Sequence, residues 1–191
     1  LSTIATKPLR ADARRNRQKV LASASAAFAE MGLDAQIEDI ARRAGVGVGT
    51  VYRHFPTKEA LVAALAEQHF EQLADVLEEA CASKDEPWDA LESAIWRCAE
   101  QTAGDVALCE IIGGHPNAVR AAATAQRRKE VAVTTLIDRA RSQGTIRDDA
   151  TAGDVGSIMC GFGHIAAAQR AGASQDWRRY LTIALDGLRA R

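Results

Sequence analysis

The stretch IEDIARRAGVGVGTVYRHFPTKEAL, residues 37–61, decides how this chain folds. Ile37, Ile40, Ala41 and Ala44 fall at the i, i+3, i+4, i+7 spacing that lines one face of an α-helix. Gly45 follows at once, and a glycine there lets the backbone take a positive φ and turn sharply. A second helix begins near Gly47 and reaches Phe55, where Pro56 prevents its continuation. Two short helices around the tight segment Ala44-Gly45-Val46-Gly47 form the pattern of a helix-turn-helix. Val51 and Phe55 are expected to point inward, leaving Val48, Gly49, Thr50, Tyr52, Arg53 and His54 on the outside. Laid in a DNA major groove, such a helix brings its short first residues close to the bases, with Thr50 or Val48 able to meet a thymine methyl. Tyr52, His54 and Lys58 suit phosphates.

Outward from this stretch the periodicity stays helical, and the fold class it predicts is all-α with about nine helices. A first helix is expected from Asp12, as N-cap, to Met31, with Val20, Ala24, Ala27 and Phe28 on one stripe and Gly32 closing it. Thr57 can cap a long fourth helix whose apolar side is Leu61, Leu65, Leu73, Val76 and Leu77. Pro87 and Pro116 read as N1 prolines of later helices, the first reaching about Thr102 and the second running to about Gln143. A helix over 152–170 carries Val155, Ile158, Met159, Phe162 and Ile165 on one face. Its second, small-residue face of Ser157, Cys160, Gly161, His164 and Ala168 suggests burial on two sides. The last helix, capped by Ser174, has Trp177, Tyr180, Leu181, Ala184, Leu185 and Leu188 on one stripe. These elements divide into an N-terminal arm with the helix-turn-helix unit, residues 1–56, and a helical body, residues 57–191.

The 191 residues, 47% hydrophobic and 26% charged, suit an ordinary folded chain and exclude a disordered or disulfide-framed one. The longest apolar run, Val155 to Ala168, holds Ser157 and His164 and is too short to cross a bilayer. Leu1 to Arg10 lacks the apolar core of a secretory signal, so a cytoplasmic location is expected. Cys81, Cys98, Cys109 and Cys160 are widely spaced and read as buried packing residues. Neither they nor the four histidines show metal-ligand spacing, so no metal or other cofactor is expected. The net charge of −1 conceals an asymmetry: residues 1–60 carry +4 and the remainder −5. That polarity points to a short front module facing polyanions and a body with another task.

The quoted run closely resembles the DNA-binding domain of the tetracycline-repressor (TetR) family, and RADARRNRQKVLASASAAFAEMGLDA before it resembles that family's first helix. The match is strong over about 10–65; beyond it the likeness is one of helix number and length. The resemblance implies a homodimeric transcription regulator, usually a repressor, which a small molecule in the C-terminal domain releases from an approximately palindromic operator. On matching positions, Thr50, Tyr52, His54 and Lys58 correspond to the family's usual DNA contacts, and Val48, Gly49 and Arg53 to its variable base-reading slots. Arg14, with Arg15 and Arg17, is a further candidate for phosphate. Gly47 and Gln36 depart from the family's usual Ser or Thr caps. The recognition helix also begins without an Arg, Asn or Gln for a bidentate base contact, so Arg53, or an arm bearing Lys7 and Arg10 in the minor groove, is expected to carry specificity.

For the effector, Trp96, Cys109, His115, Phe162 and His164 are the candidate pocket residues, since ligand pockets are mostly apolar with a few polar groups. Trp88 and Cys98 stand beside them as further positions. The cluster Arg127-Arg128-Lys129 reads as a solvated face, with an anionic ligand as the alternative. Gly156, Gly161 and Gly163 permit close helix approach, which favours a two-fold, four-helix interface from the last two helices. No converging nucleophile, base or metal group is visible, so catalysis is not expected. The readings left beside a ligand-released repressor are an activator and a hydrophobic small-molecule carrier with a non-functional DNA domain.

Overall fold

Three helices build the front of the molecule, and each ends where the sequence supplies a stop. The computed structural model describes residues 6–190. Helix α1 (Thr6–Met31) ends on Gly32, at φ 57°. It starts before Asp12, whose exposed carboxylate pairs with Arg15 one turn on instead of capping the helix. The side chains of Lys7 and Arg10, assigned above to a minor-groove arm, lie outside the described ones. Helices α2 (Ile37–Ala44) and α3 (Val48–His54) flank the turn. Val20, Leu21 and Phe28 of α1 close over Ile40, Val51 and Phe55 in a single core.

Helix α4 (Lys58–Ala82) is capped by Thr57, whose hydroxyl accepts the Ala60 N–H at 3.1 Å. It belongs to two cores. Leu61 to Ala66 lie in the front core, and Leu73 to Ala80 in a second one shared with α5 (Pro87–Gly104), α8 (Ala123–Ser142), α9 (Ala152–Arg170) and α10 (Trp177–Asp186). Between them stands α6 (Val106–Gly113), whose Leu108, Ile111 and Ile112 pack into the front core although the helix lies in the second half of the sequence. A short α7 (Pro116–Ala121) follows and packs against α4.

Ten α-helices therefore occur among the described residues, against about nine expected, and no strand is present among them. The extra helix comes from a break at Ala122 within the stretch read as one helix from Pro116. There ψ turns to 15° and the N–H of Ala122 is shared between the carbonyls of Ala118 and Val119. A bifurcated bond of this kind tightens the last turn of a helix. The second helical face of α9 also differs from expectation: Ser157, Cys160 and His164 are exposed in the single chain. Gly161 and Ala168 are half-buried, and a Cβ on Gly161 would collide with the Tyr180 hydroxyl of α10. Thr151 and Asp154 form a capping box at the start of α9, and Asp176, not Ser174, caps α10 by accepting the Arg178 N–H at 3.0 Å.

Candidate nucleic-acid interface and effector cavity

The turn between α2 and α3 is fixed by backbone chemistry. Gly45 sits at φ 66°, ψ 33°, and its N–H and that of Val46 reach back to the carbonyls of Arg42 and Ala41 at 3.2 and 3.0 Å. An L-residue with a side chain is strained in that conformation, which makes glycine the residue for the position. Gly47 and Gln36 take the extended N-cap conformation of their helices without a side-chain cap, as their departure from Ser or Thr implies. Gln36 instead donates to the Asp34 carbonyl at 2.7 Å.

Val51 and Phe55 are buried, at 0% and 2% exposure, so the opposite face of α3 is forced outward. That face presents Gly49, Arg53 and Tyr52 to solvent, with Val48, Thr50 and His54 half-buried at its edges. Tyr52 keeps 45% of its surface exposed, high for so large a ring. Arg14 is exposed on α1, and Arg17 lies 5.5 Å from the Phe55 ring centroid, tying α1 to the end of α3. Lys58 is placed differently from the rest. Its ammonium donates to the carbonyls of Leu33 and of Ala35, the latter at 2.9 Å, and stands 5.7 Å from the Phe28 ring. Two of its three donors thus hold the loop after α1, a role the sequence reading missed.

Behind α6 opens a cavity of about 1360 Å³, walled by α4 to α9 and open to solvent. Of the five candidate pocket residues, Cys109 and His164 line it; Trp96, His115 and Phe162 do not. Phe162 is fully buried with its ring edge-on to Trp177, at 5.1 Å between centroids, and Trp96 packs on that same indole at 6.0 Å. Both of these candidate aromatics went into the core between α5, α9 and α10 and not into the cavity wall. His115 turns its Nδ1 to the Ile111 carbonyl at 2.6 Å, so it closes the α6 end and is spent there.

The polar end of the cavity joins His69, which the sequence did not single out as a pocket residue, to Cys109 and Lys129, which it did, the latter within the basic cluster whose alternative reading was an anionic ligand. His69 of α4, the one buried polar residue among those described, sits with Nε2 3.7 Å from the Cys109 sulfur. Its ring meets Phe70 edge-on at 5.6 Å, and the Lys129 ammonium of α8 lies 4.9 Å from the Phe70 centroid. Burial, reinforced by Lys129, lowers the His69 pKa and keeps the ring neutral. The Lys129 side chain is half-buried as a whole, but its charged end is desolvated enough to push its pKa below the ordinary lysine value. Burial raises the thiols of Cys98 and Cys109 to about 11 and about 12, so both are neutral. The basic cluster at 127–129 is divided: Arg128 turns out to Asp75 and Glu78, at 2.7 and 2.6 Å, while Arg127 and Lys129 line the cavity. Two histidines and a basic triplet look alike in sequence whichever side of a helix they face. Lys129 was legible only as the member of the triplet that falls on α8's inner stripe with Ala125, Ala132 and Leu136.

A solvent-facing recognition helix after a glycine turn, joined to a helical body with an internal cavity, defines a helix-turn-helix transcription regulator. Residues 20–65 match the family model for bacterial regulatory proteins of the tetR family. Residues 86–190, more than half the chain, match that for the C-terminal domain of SbtR-like transcriptional regulators. The chain belongs to the TetR family, a class of non-enzymatic transcriptional regulators. A solved TetR regulatory protein from Mycobacterium vanbaalenii is 34% identical over 96% of this chain and 100% of that one, with a TM-score of 0.71. The regulator SCO0520 from Streptomyces coelicolor is 33% identical over 91% and 98%, with a TM-score of 0.65. The uncharacterized HTH-type regulator YvdT of Bacillus subtilis is 34% identical over 76 residues, 39% of each protein, so the chain aligns with about two-fifths of that curated relative. No helix among the described residues is long and apolar enough to cross a membrane.

Proposed function

We propose that the chain is a homodimeric repressor in the cytoplasm, released from a two-fold symmetric operator when a small molecule fills the cavity behind α6. The observation that carries this reading is the double membership of α6. Cys109, Glu110 and Gly113 face the cavity, while Leu108 and Ile111 pack in the core of the DNA-binding unit. A ligand that moves one side of a helix this short moves the other, because packed cores shift as units. Arg170 at the end of α9 adds a second tie, donating to the Ala29 carbonyl of α1 at 2.6 Å. Two recognition helices enter successive major grooves only if they stand roughly 34–36 Å apart, so a small rotation of α4 and α1 spoils the match. Release also requires that the ligand favour the DNA-free arrangement; equal affinity for both would shift nothing. The DNA-binding unit would then end inside α4, near where its two cores meet.

On the DNA side, Tyr52, His54 and Arg14 take phosphates, while Val48, Gly49, Thr50 and Arg53 face base edges. Selection of bound duplexes from a random pool, followed by titration at two salt concentrations, tests the reading. A symmetric site bound with strong salt dependence is expected. Tyr52→Phe should weaken operator and unrelated duplexes alike, whereas Thr50→Ala or Arg53→Ala should change sequence preference. Failure to enrich any duplex would sink the repressor reading.

A further inference from the structure

We propose that the effector of this chain is an anionic amphiphile, an apolar body carrying one carboxylate or comparable acidic head that binds Lys129 at the polar end of the cavity. The proposal rests on the reading that the cavity is the effector site, and adds the chemical class of what fills it.

The first observation is a cation without a counterion. Among the described residues no carboxylate approaches within 4 Å of the Lys129 ammonium, whereas its neighbour Arg128 holds two. The groups that face Lys129 are the Phe70 ring, the neutral His69 imidazole and the neutral thiols of Cys98 and Cys109. The remaining charged groups on the cavity wall, Arg120 and Arg127 against Glu110 and Glu130, cancel in number, so Lys129 sets the net sign at +1.

The second observation is what surrounds that charge. Leu73, Leu77, Ile95, Val133, Val155 and Met159 give the wall a broad apolar stretch, and the volume of about 1360 Å³ exceeds the usual range of roughly 300–1,000 Å³ for small-molecule sites. A lipid-like chain or a fused-ring body fits such a space. Filling it has a consequence for Lys129. The Lys129 ammonium is already partly desolvated and borders only the water that the open cavity admits; once an apolar body occupies the space, that water is displaced and the charge stays behind in a low dielectric. A neutral ligand leaves this cost standing and a cationic one adds repulsion. An acidic head removes it by supplying a charge-assisted hydrogen bond where water was. His69 stands beside the same point with Nε2 toward Cys109, able to donate to a second oxygen of the head from whichever ring nitrogen carries the proton.

Three probes with one apolar body and different heads test this: dodecanoate, dodecanol and dodecylamine, titrated calorimetrically into the full chain below their aggregation concentrations. Dodecanoate is expected to bind about ten-fold or more tightly than dodecanol, and dodecylamine most weakly. Lys129→Met should bring dodecanoate down to the dodecanol level while dodecanol binds as well as before, which also shows that the variant is folded. Lys129→Arg should restore the preference, and should Lys129→Met not fold, Lys129→Gln serves in its place. Equal binding of dodecanoate and dodecanol, or a carboxylate preference that survives removal of the lysine charge, overturns this proposal and leaves the cavity's role intact. No binding of any of the three overturns the effector-site reading along with it.

Discussion

The ammonium of Lys58 stands at the first turn of α4 and donates to the carbonyls of Leu33 and Ala35, so a DNA phosphate would have to compete for the same donors. Family resemblance leads one to expect a DNA contact from this lysine; its bonds make it the fastener of the segment between α1 and α2. The two roles separate in one variant. Lys58→Met should lower stability to urea by about 1 kcal/mol, the scale of hydrogen bonds to a charged donor reduced for partial exposure. The salt slope of operator binding should fall by less than the roughly one unit that a full phosphate contact contributes. A full unit of slope with unchanged stability would return Lys58 to the DNA. His69 offers a second test at this scale. Its pKa is depressed by burial, with Lys129 of α8 adding to the effect and Asp105 after α5 opposing it. Below its unfolded pKa of about 6.5 the unfolded chain binds a proton that the folded chain refuses, so stability from this group is complete above that pH and lost as pH falls. Between pH 7.5 and 5.5 the wild type should therefore lose more stability in urea titrations than His69→Gln, by up to about 1.4 kcal/mol per pH unit. Parallel curves for the two proteins would show that His69 is not held neutral.

Among the elements, α2 and α3 were legible because nearly everything that shapes them is local: the apolar spacing of Ile37 to Ala44, the left-handed Gly45, Pro56 after Phe55. The cap of α4 was legible for the same reason, since Thr57 meets its bonding partner three residues away; the bounds of α9 agree with the expected 152–170, although the sequence reading missed its Thr151–Asp154 capping box. The break between α7 and α8 was not. Ala121, Ala122 and Ala123 are strong helix formers, and only packing of both halves against α4 turns the backbone there. The cavity shows the same divide. Trp96 and Phe162 looked like ligand-facing aromatics because composition cannot say which neighbour an aromatic ring meets; Trp177, some 80 positions from one and 15 from the other, claims both. His69 and Lys129 come together only when α4 and α8 pack side by side, a contact across about 60 residues that no local period encodes. Gly161 and Gly163 look equivalent in sequence, yet the first makes room for Tyr180 of its own chain and a Cβ on the second meets nothing within 4 Å.

For the whole molecule, that difference bears on how two copies meet. Part of the glycine argument for a dimer falls away, because Gly161 serves intrachain packing and Gly156 and Gly163 border the cavity. What remains is a surface with no reason to be apolar in a monomer. Ile183 of α10 is 60% exposed, with Thr182 exposed beside it and Ala184 half-buried, and Ser157 and His164 of α9 are exposed as well. A lone exposed isoleucine is ordinary; one on an amphipathic helix whose opposite stripe of Trp177, Leu181 and Leu185 already fills the core suggests a second buried side. In a two-fold interface the same patch occurs twice, so one substitution acts on both subunits. Ile183→Glu should leave the stability of a single chain within about 0.5 kcal/mol, as exposed positions allow. It should shift sedimentation at micromolar concentration from dimer toward monomer, because two like charges would face each other across the axis. Operator affinity should fall with it, while binding to an isolated half-site stays the same, since the reading face on α3 is untouched. A variant that sediments as the wild type does would place the interface elsewhere, and the exposed side of α8 around Val131, itself 61% exposed, would be the next surface to charge.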